Sequence, residues 1–275
     1  MCGSIEELIG AAGFADAAIG VTDGDGVVFR YGNSASSYRI ASVTKIFTAL
    51  SVLLAVDDGT VSLDDETGPN GARLFHLLSH ASGISFDSPN VVLAPPGSRR
   101  IYSNAGIEMA EDYVEKKLPV SFADFMRGKL LDPLGMTNSR VEGSYAKDGV
   151  SVLSDLLKLG KELLEQKVLP RSVHTGISQV CCPNLGGVLP GFGRQENCDF
   201  SLGAEIKDAK SPHWTGNDNS PETFGHFGQS GCFIWVDKSA GLACVYLGRD
   251  SFGDTHKKIW PQLSDLILSI YAHRC

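Results

Sequence analysis

The sequence predicts a mixed α/β fold of the α+β type, with one antiparallel sheet built from both ends of the chain and flanked by helices. Apolar and polar residues alternate, as in strands, within residues 17–31 and again within residues 199–248. The middle of the chain has helical periodicity and almost no strand pattern, which predicts a helical lobe beside the sheet. We therefore expect a discontinuous sheet domain (1–72 and 199–275), a mainly helical lobe (73–198), and a small-molecule site in the cleft between them.

The N-terminal part of the sheet is predicted to be a hairpin. A short amphipathic helix at residues 5–12 precedes two strand patterns, at residues 17–22 and 26–31. The Asp-Gly-Asp-Gly sequence at residues 23–26 separates them, and its glycines would supply the positive φ angles of a tight turn. These strands should therefore pair with each other.

The next segment, residues 41–56, is apolar and free of glycine, and it is predicted to be one helix. Ser42 and Lys45 would lie on one face of its first turn, which brings a hydroxyl close to an amine. A lysine whose pKa is depressed can be the base for a serine nucleophile, and free N–H groups at a helix start can stabilise an oxyanion. Alternatively, Ser42 is only a helix cap and Lys45 is solvated, because Ser-x-x-Lys is a common tetrapeptide.

The other helices are predicted from their periodicity, at residues 74–80, 104–118, 122–131, 151–166 and 255–272. Ser151 is expected to cap the fourth of these helices. The Gly/Pro-rich stretch at residues 182–193 is expected to be a loop. No internal repeat or coiled-coil pattern interrupts this order.

The composition is typical of a globular protein, with 43% hydrophobic and 20% charged residues in a chain of 275. Lys and Arg number 24 against 32 Asp and Glu, a net charge of −8, and no basic run occurs, so nucleic-acid binding is disfavoured. No apolar run approaches the ~20 residues of a membrane span. Without a positively charged segment leading into an apolar one, we expect a cytoplasmic protein. The alternative is an exported lipoprotein whose signal is missing ahead of Cys2.

The cysteines are expected to be free thiols, because seven is an odd number and no disulfide framework is apparent. Cys181 and Cys182, with Cys198 nearby, lack the spacing of a zinc site, so no metal is expected. We interpret them as buried small apolar side chains. Cys232 and Cys244 lie on a predicted hairpin and would face each other in one register. No cofactor is expected.

A second informative stretch begins with a Pro/Gly turn at residues 95–97 and delivers Tyr102 and Asn104 just ahead of a helix. Beside a lysine ammonium, the phenolate form of Tyr102 would be favoured, and this side chain could then pass protons. Asn104 offers both a donor and an acceptor. The alternative is that Ser103 or Asn104 simply caps the helix, and for Asn104 both roles are compatible.

A third stretch, Phe-Gly-His-Phe-Gly-Gln-Ser-Gly at residues 224–231, is a glycine-rich entry into a predicted strand at residues 232–236. Glycine lets backbone come close to a substrate, so N–H groups along this edge could hold a carbonyl oxygen. Taken alone, His226 would more often be structural than catalytic.

Together these stretches resemble the serine beta-lactamase-like family, which includes class C beta-lactamases, D-alanyl-D-alanine carboxypeptidases and related esterases. The motif order Ser-x-x-Lys, Tyr-x-Asn and Lys/His-x-Gly occurs here at residues 42–45, 102–104 and 226–228. The flanking segments that also resemble the family are residues 77–84, 131–136 and 231–237. The resemblance runs from residue 17 to the end and implies the beta-lactamase/transpeptidase-like fold.

The resemblance implies that Ser42 attacks an ester or amide carbonyl and forms an acyl-enzyme, which water then hydrolyses. Lys45 and Tyr102 would share the role of base, and the sequence does not decide which of them takes the proton. Asn104 would orient Lys45 and the acyl side chain. By the same resemblance, His80 belongs to a fixed loop outside the site.

The resemblance also implies the substrate-binding residues. The oxyanion would be held by the backbone N–H groups of Ser42 and Gln229, with His226 and Gly228 beside the substrate. His226 stands where beta-lactamases and many carboxypeptidases have lysine, and a mostly neutral imidazole is a weaker anchor for a carboxylate. We therefore expect an esterase-like or peptidase-like hydrolase of small esters, beta-lactams or D-peptides, with weak beta-lactam hydrolysis.

Several features bear on the alternatives. Arg99 and Arg100 could restore positive charge near Tyr102, although arginines in a loop usually face solvent. The chain is short for a class C beta-lactamase and lacks the Glu-x-x-Leu-Asn stretch of class A enzymes. One alternative is a penicillin-recognising or scaffold protein that kept the fold and lost turnover. The intact Ser42, Lys45 and Tyr102 argue against it. Another is a D-amino-acid peptidase acting on cell-wall fragments. The oligomeric state is not predicted.

Overall fold

An antiparallel sheet made from both ends of the chain forms the middle of the fold in the computed structural model, which describes residues 4–14 and 16–272. Within those residues its strands are, in spatial order, β2 (Val27–Tyr31), β1 (Ala18–Thr22), β11 (Leu242–Leu247), β10 (Cys232–Asp237), β9 (Phe224–Gly228) and β8 (Glu205–Ile206). Every neighbouring pair is antiparallel. The predicted fold class is confirmed.

Helices cover both faces of this sheet, because the strands send alternate side chains into two apolar cores. Trp235 lies in the core that is closed by α1 (Ile5–Ala12) and α8 (Asp254–Tyr271). Ile234, its neighbour on β10, lies in the opposite core, where α6 (Leu153–Glu165) packs against the sheet. The central strands of the sheet are therefore buried between helices, whereas the edge strand β2 is largely exposed.

Most of the remaining elements surround the core that contains Ile234. The helices are α2 (Thr44–Asp57), α3 (Leu74–Leu78), α4 (Asn104–Glu115), α5 (Phe122–Met126), a π-helical turn (Arg127–Leu131) and α7 (Arg171–Ser178). The shorter strands are β3 (Ser37–Ala41), β4 (Arg140–Val141), β5 (Gly149–Val152), β6 (Gly187–Leu189) and β7 (Gly193–Gln195). A 3₁₀ turn spans Pro69–Gly71. Helix α2 is buried almost throughout and packs against α4 and α7, so it anchors the elements that carry the predicted site.

The start of α2 differs from the prediction. The helix begins at Thr44 rather than residue 41, because residues 37–41 form β3 and pair with β5. Ser151 belongs to β5 and is not a helix cap, and α6 begins at Leu153. Strands β4 and β5, with β6 and β7, lie in the middle of the chain, which was expected to be nearly free of strands. Pairing between distant segments overrides the local helical pattern here.

The C-terminal strands also differ from the expected pattern. The strand expected at residues 199–206 is reduced to β8, whereas β9 forms within the stretch interpreted only as a glycine-rich entry. Gly225 explains how β9 can form, because a Cβ there would lie 2.0 Å from the carbonyl oxygen of Ile234 on β10.

The predicted N-terminal hairpin is present, with Thr22 opposite Val27. Its turn is stabilised differently from the expectation, since positive φ angles occur at neither Gly24 nor Gly26. Instead, Asp23 Oδ1 accepts the N–H groups of Asp25 and Gly26 at 2.8 and 2.9 Å.

The cysteines fall into two groups. Cys198, Cys232 and Cys244 are buried, as interpreted, but Cys181 and Cys182 are only half-buried, so the interpretation as buried side chains is wrong for that pair. Cys232 and Cys244 do not face each other, because they point into the two opposite cores. No group of three or more His, Cys, Asp or Glu side chains within the described ranges could hold a metal ion. Cys2 and Cys275 lie outside the described residues.

The division of the chain into a sheet domain and a helical lobe stays a prediction. Helix α6 belongs to the predicted helical lobe, yet it packs against β1, β10 and β11 of the sheet. The cytoplasmic location and its lipoprotein alternative also stay predictions, since Cys2 lies outside the described residues. None of the helices in residues 4–14 and 16–272 combines the length and apolar character that a membrane crossing requires.

Candidate active site

Ser42 lies in the turn between β3 and α2, just before the helix rather than inside it. The preceding residue, Ala41, has a φ of +41°, a region that residues other than glycine rarely adopt. Thr44 fixes this turn, because its hydroxyl donates to the carbonyl oxygen of Ala41 at 2.5 Å and accepts the N–H of Gly149 at 2.8 Å. A strained backbone held by its surroundings is common at functional sites.

Lys45, in the first turn of α2, is fully buried. Its Nζ lies 2.7 Å from Asn104 Oδ1, 2.9 Å from the carbonyl oxygen of Ala146 and 3.2 Å from Ser42 Oγ. The first two neighbours can only accept hydrogen bonds, so a neutral amine would give each of them one N–H. Its lone pair would then point to the hydroxyl of Ser42.

The electrostatics favour this neutral form. Burial lowers the pKa of Lys45 to about 7, and the nearby carboxylates of Glu108 and Asp87 oppose the shift only in part. Asp87 also accepts a hydrogen bond from Asn104 Nδ2 at 2.9 Å, which fixes the amide so that its oxygen faces Lys45. Asn104 therefore uses both its donor and its acceptor, as predicted, although Asp87 was not anticipated.

Tyr102 lies in the loop before α4, with Lys45 Nζ 4.7 Å from the centre of its ring. The ring of His80 packs on it at 4.5 Å between centroids, and Phe86 stacks at 6.0 Å. Burial raises the pKa of Tyr102 well above its usual range, and the hydrogen bond with Ser42 lowers it only slightly in return. The expected phenolate is therefore wrong, because desolvation outweighs the attraction of the lysine, and Tyr102 keeps its proton.

His226 is buried on β9 and acts as an acceptor toward the site. Its Nδ1 lies 2.7 Å from the carbonyl oxygen of Phe227, which can only accept, so Nδ1 carries the ring proton. The lone pair of Nε2 then faces the hydroxyl of Tyr102 at 3.4 Å. Burial, and next the charge of Lys45, lower the pKa of His226 to about 4. The imidazole is neutral and brings no positive charge.

Gly228 ends β9 beside the turn that carries Ser42, and Gln229 follows it. A Cβ on Gly228 would lie 2.6 Å from the carbonyl oxygen of Ile40 and 2.7 Å from Cys232 Sγ, so only glycine permits this approach. Gln229 is exposed and lines the same cavity as Ser42. The predicted position of Gln229 beside the nucleophile is thus realised, while its role in an oxyanion hole stays a prediction.

These residues surround a cavity of about 160 Å³. Its lining is mostly apolar: Phe86, Leu189, Pro190, Phe200 and Phe227, together with Ser42, Tyr102, Glu205, His226 and Gln229. Neither Arg99 nor Arg100 lines it. Arg99 is exposed, whereas Arg100 is buried among carbonyl oxygens, against the expectation of a solvent-facing pair. No lysine or arginine of the described residues therefore lines the cavity.

Glu205, on β8, is the carboxylate of this cavity, and no sequence motif pointed to it. Burial raises its pKa, but His213, Lys210 and Trp214 outweigh that effect and bring it to about 2. His213 Nε2 and Trp214 Nε1 donate to it at 2.9 and 2.6 Å, and Lys210 Nζ lies 3.5 Å away. The closeness of Glu, Lys, His and Trp between residues 205 and 214 was the available signal.

His80, which was expected to be structural, is buried behind Tyr102. Its Nδ1 accepts the N–H of Ser103 at 3.2 Å, which fixes the backbone between Tyr102 and Asn104. Of the seven predicted site residues, Ser42, Tyr102, His226 and Gln229 line the cavity. Lys45 and Asn104 lie behind Ser42, and Gly228 precedes Gln229. Their catalytic and binding roles stay predictions.

The chain is similar to several solved structures. A beta-lactamase from Mycobacterium bovis has a TM-score of 0.95 at 39% identity, covering 98% of this chain and 100% of that one. Simvastatin synthase (LovD) from Aspergillus terreus has a TM-score of 0.79 at 15% identity, covering 98% of each chain. The octameric penicillin-binding protein homologue from Pyrococcus abyssi has a TM-score of 0.77 at 20% identity, covering 97% of this chain and 76% of that one. These last two show a shared fold alone.

Curated relatives match over part of the chain. Penicillin-binding protein 4* from Bacillus subtilis (strain 168) is 26% identical over 138 residues, which is 38% of this chain and 31% of that protein. D-alanyl-D-alanine-carboxypeptidase/endopeptidase AmpH from Escherichia coli (strain K12) is 25% identical over 181 residues, 49% of this chain and 47% of that protein. The chain spans less than half the length of these two relatives. The sequence model of one family, Beta-lactamase, matches residues 4–266. Because this match runs through nearly the whole chain, the protein belongs to the Beta-lactamase family.

Proposed function

We propose that this protein is a serine hydrolase that cleaves a small uncharged ester or amide through an acyl-enzyme on Ser42. The observation that carries the proposal is the environment of Lys45. Its Nζ is fully buried, has two carbonyl-type acceptors at 2.7 and 2.9 Å, and lies 3.2 Å from the hydroxyl oxygen of Ser42. A pKa of about 7 leaves much of this amine neutral at neutral pH.

Acylation begins when Lys45 accepts the hydroxyl proton of Ser42 and the serine oxygen attacks the substrate carbonyl carbon. The carbonyl oxygen becomes an oxyanion, for which the backbone N–H groups of Ser42 and Gln229 are the proposed donors. Asn104 holds Lys45 in place throughout, because its amide is fixed by Asp87. Of the two bases that the sequence left open, Lys45 is therefore the one proposed.

Tyr102 is the proposed acid for the leaving group. It keeps its proton because burial raises its pKa, and the opposing effect of Ser42 does not reverse that shift. When the tetrahedral intermediate collapses, Tyr102 donates its proton to the departing oxygen or nitrogen, and the proton held by Lys45 restores the phenol. Deacylation follows the same steps in reverse. Water attacks the acyl-enzyme with Lys45 as its base, Ser42 is the leaving group, and the acid is released.

The cavity supports an uncharged substrate with a short apolar acyl group. Aromatic side chains and a neutral His226 line it, and its one charged group among the lining residues described is the carboxylate of Glu205. A substrate carboxylate would meet no positive partner there, and leaving a charge unpaired in a buried site is costly. Neutral esters are therefore preferred over penicillins and D-peptides that end in a carboxylate.

The proposal is tested by comparing hydrolysis of 4-nitrophenyl butyrate with hydrolysis of nitrocefin and with release of D-alanine from a D-alanyl-D-alanine peptide. The ester is expected to react fastest, and intact-mass spectra should show a butyryl adduct that is absent from Ser42→Ala. The matched control is Ser269→Ala, which replaces an exposed serine on α8 and should keep full activity.

Full esterase activity in Ser42→Ala would refute the mechanism. Nitrocefin turnover as fast as that of the ester would refute the substrate preference, and trapped penicillin without turnover would favour a penicillin-recognising protein.

A further inference from the structure

The vicinal pair Cys181-Cys182 is not used by the proposed mechanism and is unlike the other described cysteines. Both residues are half-buried, and their sulfur atoms lie 3.7 Å apart. Cys181 also lines a cavity of about 590 Å³ between α2 and α7, together with Leu53, Val56 and Thr175. Small solutes can therefore reach Cys181 through this cavity, and Cys182 is itself partly exposed.

A buried cation lies beside the pair. Arg100 is 2% exposed, and its Nη2 donates to the carbonyl oxygens of Cys181 and Cys182 at 2.9 and 2.8 Å. Its other donors reach the carbonyl oxygens of Ser79 and Cys198 at 2.5 and 2.9 Å. No carboxylate of the described residues forms an ion pair with this guanidinium. A buried positive charge without an anionic partner favours a thiolate next to it.

The pKa shifts of the thiols differ from one cysteine to another. The hydrogen bond from Cys181 lowers the pKa of Cys182, and Arg100 acts in the same direction, whereas the pKa of Cys181 is raised. Burial instead raises the pKa of Cys198 to about 11 and that of Cys232 to about 12. Because the thiolate is the reactive form, Cys182 should react before the other described cysteines.

We propose that Cys181-Cys182 is an oxidation-sensitive dithiol that hydrogen peroxide converts to a vicinal disulfide. The thiolate of Cys182 attacks one peroxide oxygen, the O–O bond breaks, and a sulfenic acid and hydroxide form. The thiol of Cys181 then attacks the sulfenic sulfur, the S–O bond breaks, and water leaves with the proton of the thiol. Overall, one peroxide is reduced to two waters and two thiols are oxidised to one disulfide.

The disulfide would also reach the proposed catalytic site, a consequence that rests on the proposed function. Bond formation must draw together two sulfur atoms that are now 3.7 Å apart, and the carbonyl groups of the same two residues hold Arg100. Arg100 lies two residues before Tyr102, and its N–H donates to the carbonyl oxygen of Gly186 at 2.9 Å. Movement of these carbonyl groups would therefore displace Tyr102 from its position beside Ser42.

The thiol chemistry is tested without any activity measurement. The protein is exposed to a small excess of peroxide, denatured, alkylated with iodoacetamide, digested and analysed by mass spectrometry. The peptide with Cys181 and Cys182 should lose two hydrogens and take no label, at least about tenfold faster than Cys232 or Cys244 is oxidised. Dithiothreitol should reverse the change. In Cys181→Ser, dimedone should trap a sulfenic acid on Cys182. Oxidation of all cysteines at similar rates, or a pair that stays alkylatable, would overturn the proposal.

The link to the site is tested with the same samples and 4-nitrophenyl butyrate. Oxidised wild type should lose about tenfold or more in acylation rate, because a displacement of about 1 Å can cost that much. Cys181→Ser and Cys182→Ser should keep their activity in peroxide, since neither can form the disulfide. Equal loss in wild type and both variants would overturn the link. If the reduced protein has no hydrolysis that depends on Ser42, the proposed function fails, and the mass measurement still decides the dithiol.

Discussion

Lys45 Nζ lies 3.2 Å from Ser42 Oγ, at the end of a side chain that is fully buried. The two other neighbours of this nitrogen, Asn104 Oδ1 and the carbonyl oxygen of Ala146, accept hydrogen bonds and cannot donate. A protonated Lys45 would have to donate to Ser42 as well, which would leave no base for the hydroxyl proton. The protonation state of Lys45 therefore decides whether Ser42 can react.

The first prediction is that acylation depends on pH through Lys45. Its pKa lies at about 7, and only the free amine accepts a proton, so the rate should rise with pH through that value. Below it, the rate should fall by about tenfold per pH unit. Single-turnover hydrolysis of 4-nitrophenyl butyrate between pH 5 and 9 measures this dependence of the rate on pH.

The variant Lys45→Arg, which stays charged, should lose about 10²-fold or more in acylation rate. The matched control, Lys116→Arg at the exposed C-cap of α4, should behave as wild type. A flat profile would contradict the assignment.

The second prediction separates Tyr102 from the base. If Tyr102 protonates the leaving group, Tyr102→Phe should lose about 10²- to 10⁴-fold with an alkyl ester, whose alkoxide leaves poorly. The loss should be much smaller with 4-nitrophenyl butyrate, since nitrophenolate leaves without a proton. The ratio of kcat/KM for the two esters in each variant is the measurement. Equal losses on both substrates would show that Tyr102 acts earlier, as a base toward Ser42.

The sequence predicted the local part of the site better than its long-range part. The contact between Ser42 and Lys45 follows from a spacing of three residues, even though the helix starts two residues after Ser42. The convergence of Tyr102, Asn104 and His226 on this pair came from family resemblance, because sequence periodicity does not bring distant segments together. Strand β3 was missed for the same reason, since it is stabilised by pairing with β5 more than a hundred residues later.

The electrostatic part of the site depended on burial, which the sequence does not give. Tyr102 was expected to favour a phenolate because only the charge of Lys45 was considered, and desolvation reverses that conclusion. Glu205 was missed because it becomes important only when β8 lies beside β9 at the cavity. Cys181 and Cys182 were interpreted as packing residues, because their closeness to a buried Arg100 depends on segments about eighty residues apart.

The third prediction concerns His226, which stands where the family resemblance implies a lysine. His226 is neutral, so His226→Lys would place an ammonium beside the cavity and offer a partner to a substrate carboxylate. The kcat/KM for a penicillin relative to that for an uncharged ester should rise by about tenfold, as one charge-assisted hydrogen bond would allow. The new charge should also lower the pKa of Lys45, so the rising limb of the pH profile should move below pH 7.

His226→Gln, which adds no charge, is the control and should leave the ratio of kcat/KM for the two substrates unchanged. A ratio that stays constant in His226→Lys would show that the carboxylate does not bind near residue 226.

The last prediction concerns Gly228, where β9 packs closely against the turn that carries Ser42. In Gly228→Ala, the added Cβ would lie 2.6 Å from the carbonyl oxygen of Ile40, which is backbone and cannot rotate away. The strand must therefore shift, with a loss of about 1–3 kcal/mol in the free energy of unfolding and a drop of several degrees in Tm. Acylation should fall by a larger factor than the stability loss explains, because the shift moves the N–H of Gln229 away from Ser42.

Gly10→Ala is the matched control for that substitution. Gly10 lies in α1, and an added Cβ there would meet no atom within 4 Å. Alanine favours the helix over glycine by about 0.5–1 kcal/mol, so this variant should be as stable as wild type or slightly more stable, with unchanged activity. Thermal unfolding and single-turnover acylation are measured on both variants below their transition temperatures. If Gly228→Ala lost stability but kept its acylation rate, the backbone of β9 would not contribute to the oxyanion site, and the N–H donors would have to be sought elsewhere around Ser42.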